Sequence, residues 1–195
     1  MATQPKHLMT LEEYFKQELT ALDRHEYLNG EIFAMAGGTA AHSTIIINIL
    51  SELHRPLKKS DCNVYDGNMR IRTAPNGLYS YADAVVSCGE AQVERDTLLN
   101  PVVIVEVLSK STASYDRGVK FECYRQISSF REYLVVAQDR VYVEHHTHDN
   151  KDRKIWTMCE YTSLEDTVIL GTINVKLQLA DIYTKVSFPG GVLEQ

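Results

Sequence analysis

Apolar and polar positions along this chain follow two different periods. Over 41–58, Ile45, Ile46, Ile49, Leu50 and Leu53 recur at the 3.6-residue spacing of a helix with one buried face. A shorter helix is predicted from Leu11 to about Leu19, because Thr10 and Glu13 form a capping box at its start. Residues 26–35 read as a hairpin folded at the Asn29-Gly30 turn. Three strands are predicted at 62–65, 69–73 and 80–88, the last set off by Pro75-Asn76-Gly77. After a polar connector over 89–101 comes Val102-Val-Ile-Val-Glu-Val-Leu108, a continuous apolar run rich in β-branched residues. It predicts a central strand buried on both faces. A helix over 111–127 and a strand over 133–137 come next. A second hairpin then pairs 140–146 with 154–161 across the polar tip 149–152, and 164–186 adds one or two short strands and a last helical turn. This order predicts an α/β fold, a mixed sheet flanked by helices, with an N-terminal and a C-terminal hairpin.

Composition narrows the class. With 195 residues, 44% hydrophobic and 24% charged, one domain spanning 1–195 with an ordered core over about 9–186 is expected. A net charge of −6 excludes a protein that coats nucleic acid through bulk charge, but not a local basic strip. Cys62, Cys88, Cys123 and Cys159 form no C-x-x-C pair and sit among apolar neighbours, so reduced, packed thiols are expected rather than zinc or disulfides. Residues 1–7 carry no signal-peptide pattern, and no apolar run approaches membrane-spanning length. A cytoplasmic chain with no membrane partner is expected.

The chemistry begins with Glu106. It interrupts a strand whose other members are Val, Ile or Leu, and an unpaired ionised carboxylate buried there costs several kcal/mol. Something must compensate: a buried arginine or lysine, protonation of the carboxyl, or a bound cation. Asp83 is the single acid in a second apolar strand. Neighbouring strands lie about 4.8 Å apart, so the two carboxylates can share one Mg2+ or Mn2+. In the next helix Asp116, Lys120 and Tyr124 fall at i, i+4 and i+8, along one stripe. Lys120 there is placed to meet a phosphate.

Asp83, Glu106-Val-Leu-Ser109 and Asp116-Arg-Gly-Val-Lys120-Phe-Glu-Cys-Tyr124 together resemble the PD-(D/E)XK, restriction-endonuclease-like superfamily. The likeness is closest to a bacterial branch whose catalytic lysine has moved to the helix, and it covers residues 9–183, including Arg24-His-Glu-Tyr-Leu-Asn-Gly-Glu-Ile32 and His42. It implies a divalent-metal-dependent endonuclease acting on nucleic acid, with DNA as the expected substrate. By position, Asp83, Glu106 and the Val107 carbonyl would hold the metal, and Lys120 would be the catalytic lysine. Three departures stand out. Leu108 occupies the superfamily's usual lysine position, Ala82 replaces the proline before the aspartate, and Lys110 stands where the branch has proline.

Glu31 and His42 are supporting candidates, together with Lys110, Asp116 and Tyr124. His145, His146 and His148 invite a metal reading, but strand alternation beside a polar turn favours exposed side chains. Arg70, Arg72, Arg117 and Arg125 are candidates for a nucleic-acid track. The rival of a different class is a nuclease-fold protein that binds nucleic acid or a protein without cutting; another substrate would be RNA. Cutting both strands of a duplex calls for two sites, so a homodimer through the 140–161 hairpin is expected.

Overall fold

The structure, a computed structural model, describes residues 8–35, 37–149, 152 and 154–188. The chain opens with α1 (Leu11–Glu18), β1 (His25–Leu28), β2 (Glu31–Ala34) and α2 (Ala40–Leu57). Then come strands β3 (Cys62–Asp66), β4 (Arg70–Arg72), β5 (Tyr79–Tyr81), β6 (Ala84–Cys88), β7 (Val93–Glu94), β8 (Thr97–Leu98) and β9 (Val103–Leu108). One continuous helical segment comes next, made of α3 (Ala113–Tyr115), a π turn (Asp116–Lys120) and α4 (Phe121–Tyr124). The chain closes with β10 (Glu132–Ala137), β11 (Val143–His148), β12 (Trp156–Tyr161), β13 (Thr167–Leu170), β14 (Val175–Gln178) and α5 (Leu179–Ile182).

A six-stranded mixed sheet in the order β12-β11-β10-β9-β6-β3 forms the centre. Its β9–β10 pair is parallel and the other neighbours are antiparallel. A second six-stranded sheet runs β2-β1-β5-β4-β8-β7, and β13–β14 form a separate hairpin. Strand β9 lies in the middle and is buried along its whole length, as its apolar run predicts. Alternation sends Val103, Val105 and Val107 to a cluster with Ile45, Ile49 and Leu53 of α2 and with β13–β14. Ile104 and Leu108 point the other way, to a cluster with Cys123, Tyr124 and Tyr133. Each such side chain contributes roughly 1.5–3 kcal/mol by burial, so α2 and the helical segment are fixed on opposite faces of the sheet.

The predicted capping box and hairpins are present. The Thr10–Glu13 box starts α1. A cap that the sequence reading did not name starts α2, where the Thr39 hydroxyl accepts from the His42 N–H. The β1–β2 hairpin turns at Asn29 and Gly30, both at positive φ, as a two-residue hairpin turn requires. The predicted C-terminal hairpin is β11–β12; residues 150 and 151 of its tip lie outside the described residues, as do residues 1–7. No helix among the described residues is long and apolar enough to cross a membrane.

Four expectations need correction. The single strand over 80–88 is two strands: β5 pairs with β1 and β4 in one sheet, and β6 with β3 and β9 in the other. The strand-like pattern of 80–88 runs on through Asp83 without a turn residue, so it does not show that its halves belong to different sheets. The connector over 89–101 folds into the short β7–β8 hairpin. Cys62 and Cys88 face each other in the β3–β6 register and form a disulfide, whereas Cys123 and Cys159 are free thiols. Register, which brings residues 26 apart in sequence together, is invisible to cysteine spacing. His145 is buried rather than exposed: its Nε2 lies 2.6 Å from Glu132 Oε2, and the other Glu132 oxygen accepts from the Thr172 N–H.

Candidate functional site

The two sheets diverge at Ala82-Asp83, and the site lies in that fork. The last β6–β9 rung joins Ala84 to Val105, and Asp83 is the residue just before β6 begins. Asp83 Oδ2 accepts the Val107 N–H at 2.7 Å, which ties the acid to the end of β9. Asp83 and Glu106 both line the cavity that opens there. Asp83 keeps 16% side-chain exposure, whereas Glu106 keeps 5% and points away from α2 toward the helical segment.

Lys120 meets Glu106 there. Its Nζ is 3.0 Å from Glu106 Oε1, 2.9 Å from Glu26 Oε1 and 3.4 Å from Asp116 Oδ1, with all four side chains nearly inaccessible. The Tyr124 hydroxyl donates to Glu106 Oε1 at 2.9 Å and also lies 3.0 Å from Ser80 Oγ. The stripe Asp116, Lys120, Tyr124 thus faces one carboxylate, but not through regular α-helix. Four α-helical residues overshoot a full turn by about 40°, and eight by about 80°. The π turn over Asp116–Lys120 rotates less per residue and takes that overshoot back. Thr112 occupies the position before the helix without a side-chain cap; its N–H is taken instead by Ser109 Oγ.

Four carboxylates, from Asp83, Glu106, Glu26 and Asp116, share this corner with one ammonium. Burial pushes the Glu106 carboxyl up; Lys120 pulls it down, and Asp83, Asp116 and Glu26 push it up again, leaving it well above the usual carboxylate range. Burial works against the Lys120 charge, but Glu106, Glu26 and Asp116 outweigh it and hold its pKa well above the ordinary value. His42 stands at the rim with Nε2 3.6 Å from Asp83 Oδ2. Burial lowers its pKa, but Asp83 and the Val107 backbone raise it further, for a net upward shift. Gly38 leaves room for that ring: a Cβ at this position would stand 2.6 Å from His42 Nδ1.

Sequence reasoning missed Glu26. In the β1–β2 register it sits opposite Phe33, whereas the candidate Glu31 sits opposite Leu28, beside the turn. Two rungs, or about 7 Å, separate them, and Glu31 does not line the cavity. The two-residue turn fixes this register, so the signal for Glu26 was present in Asn29-Gly30. Lys110 also lies outside the cavity, on an adjoining groove with Arg117. Arg70 turns inward to Thr97, Tyr81 and the Arg95 carbonyl, and Arg72 pairs with Glu94, so neither offers a free track.

The cavity measures about 470 Å3; its floor carries Glu106, Asp116 and Lys120, and Phe33, Met35 and Tyr115 stand among its apolar lining. Its donors are hard oxygens, the type that Mg2+ and Mn2+ accept. Among the described residues no three acid, histidine or cysteine side chains are grouped as a metal site. Magnesium does not need such a group, since it commonly takes one or two carboxylates and keeps several waters. Four carboxylates around one ammonium make a donor set that fits a hard divalent cation.

Known proteins share this architecture. A crystal structure described as a putative nuclease belonging to DUF820 from Anabaena variabilis superposes with a TM-score of 0.68, covering 88% of this chain and 97% of that one. At 14% identity that likeness establishes the fold alone. Two proteins of Synechocystis, both described as uncharacterized, are similar in sequence. Slr1290 is 30% identical across 91% of this chain and 92% of its own length, and sll1609 is 32% identical across 71% and 80%. The family profile described as "Uma2: Putative restriction endonuclease" matches residues 11–181, which span every strand and helix of the fork, and the chain belongs to that family.

Proposed function

We propose that the chain is a divalent-metal-dependent endonuclease that hydrolyses phosphodiester bonds of nucleic acid, with DNA as its substrate. The observation that carries this reading is that Asp83, and Glu106 with its buried partner Lys120, line one open cavity. Family membership supports the nuclease part. Asp83, Glu106 and the Val107 carbonyl would hold Mg2+ or Mn2+, which supplies Lewis acidity toward the phosphate oxygens.

The protein's own groups divide the remaining work. Lys120, gripped by Glu26 and Asp116, presents its ammonium to the negative charge that grows on the phosphate as water attacks. Tyr124 fixes the orientation of Glu106. Water's oxygen forms the new bond to phosphorus and the bond to the leaving sugar oxygen breaks. One water proton ends on that oxygen, and the other stays with the product phosphate. His42, half-buried beside Asp83, is positioned for contact with the phosphate at the rim.

The deciding experiment incubates the protein with single-stranded DNA, duplex DNA and RNA in Mg2+, Mn2+ or EDTA, alongside melting curves. Cleavage is expected with metal and not with EDTA, and metal should raise the melting temperature. Asp83→Ala/Glu106→Ala should abolish both effects and stay folded, since it relieves carboxylate repulsion. An unchanged metal response in that variant would sink the assignment of the ligands. Binding without cutting under every condition would favour the silent, nuclease-fold reading.

A further inference from the structure

The cavity above the acids has features that hydrolysis alone does not use. Phe33 leaves 40% of its surface exposed at the rim. Its register partner is Glu26, so its ring stands on the same face as the acid that grips Lys120. Tyr115 lies beside it with ring centroids 6.0 Å apart, and Ala34 and Met35 extend the apolar wall. A site meant only for the charged backbone would gain nothing from an exposed aromatic wall. A nucleobase would, because stacking a base on an aromatic ring is worth about 1–3 kcal/mol.

A second opening continues from the first. A groove of about 810 Å3 shares Gly37, Ser109 and Ser111 with the cavity and carries Lys110, Arg117 and Arg140 against the single acid Asp139. Arg117 is paired with Glu144 at 2.7 Å and Arg140 lies 3.5 Å from Asp139 Oδ1, so among the described residues Lys110 is the groove cation that makes no ion pair. A stacking wall on one side of the acids and a cationic groove on the other form the two halves of a single-strand site. Size points the same way. A cavity of about 470 Å3 suits one small-molecule-sized group, and the carboxylates lie at its floor. In a duplex each base is already stacked on its neighbours, so the Phe33 ring can receive a base only from a nucleotide that has left the stack.

We propose, resting on the nucleic-acid part of the function above, that the site takes an unpaired nucleotide of single-stranded DNA. Its base stacks on Phe33 beside Tyr115, its phosphate reaches toward the Lys120 ammonium, and the adjoining backbone runs along the Lys110–Arg140 groove.

Fluorescence polarisation in Ca2+ tests this without requiring turnover, using one labelled sequence as single-stranded DNA, RNA and blunt duplex. Single-stranded DNA should bind at least roughly tenfold more tightly than the duplex. Phe33→Ala should weaken single-strand binding by roughly tenfold, and Phe33→Trp should restore it. Lys110→Ala and Arg140→Ala should each reduce the slope of log affinity against log salt by about 0.7. A 2-aminopurine placed in the strand should change its fluorescence with wild type and not with Phe33→Ala. Duplex bound as tightly as single strand, or Phe33→Ala binding like wild type, overturns the proposal. RNA bound as tightly as DNA overturns the choice of DNA. The nuclease reading fails separately: preferential single-strand binding with no cleavage in Mg2+ or Mn2+ would refute catalysis and leave this site standing.

Discussion

Replacing Lys120 by methionine tests the charge balance of the site most directly. Methionine fills a similar volume, so loss of packing contributes little. The substitution removes the one ammonium within 3.4 Å of Glu106, Glu26 and Asp116, all buried. Removing one partner of a buried ion pair costs about 3–5 kcal/mol, since the remaining charge is left uncompensated. At about 2–4 °C per kcal/mol for a chain of this size, the melting temperature in EDTA at pH 8 should fall by roughly 6–20 °C. The pH dependence comes from Glu106, whose folded-state pKa is already raised. A raised carboxyl contributes stability that is fully present below the ordinary carboxylate range and lost as pH rises through the folded value. Without Lys120 that value rises further, so at pH 5 the variant should recover part of the deficit. Mg2+ should restore more stability to the variant than to wild type, and cleavage should fall about a hundredfold or more. Differential scanning fluorimetry at both pH values, with EDTA or Mg2+, reads all but the last. A melting temperature at pH 8 within about 2 °C of wild type would refute the claim that Lys120 neutralises this corner.

Other parts of the fold give two more expected outcomes. Burial pushes the Glu132 carboxyl up, but His145 and the Thr172 N–H outweigh it and leave its pKa lowered. The stability this contributes is present above the ordinary carboxylate range and lost as pH falls through the lowered value, so Glu132→Gln should be less stable at pH 7 and close to wild type near pH 2 in urea titrations. Among the described residues β12 has one unpaired edge, which favours the expected homodimer through the 140–161 hairpin; light scattering at micromolar concentration should give twice 22.1 kDa, and a monomer mass would remove it.

Much of this was legible in the residues. The apolar run over 102–108 read as a buried strand, and its one acid demanded compensation; the structure sets Lys120 3.0 Å from it, and burial also raises the carboxyl's pKa. The stripe of Asp116, Lys120 and Tyr124 was visible from spacing, although the π turn that aligns it was not, because hydrophobic periodicity averages over single-residue irregularities. The break at Ala82-Asp83 was hidden for another reason: β5 and β6 are both apolar, and only tertiary pairing assigns them to different sheets. Glu26 went unnoticed beside Glu31 because only the hairpin register, which sets it opposite Phe33, separates the two acids. The Cys62–Cys88 disulfide depends on the same long-range register.

The π turn also bears on how this chain can change in length. Surface loops absorb an added or lost residue at small energetic cost, and the π turn over 116–120 lets this helix do the same. Deleting Arg117, Gly118 or Val119 would turn the segment into ordinary α-helix, with seven residues in place of eight from Asp116 to Tyr124. Seven α-helical residues turn through about 700°, within about 20° of two full turns, so α4 would keep its facing. Cys123 and Tyr124 would stay in the cluster they share with Tyr133 and Phe130, and the Tyr124 hydroxyl would stay aimed at Glu106. The extra residue is therefore tolerated because the π turn hides it from everything that follows, and relatives one residue shorter here can keep the same stripe as plain α-helix.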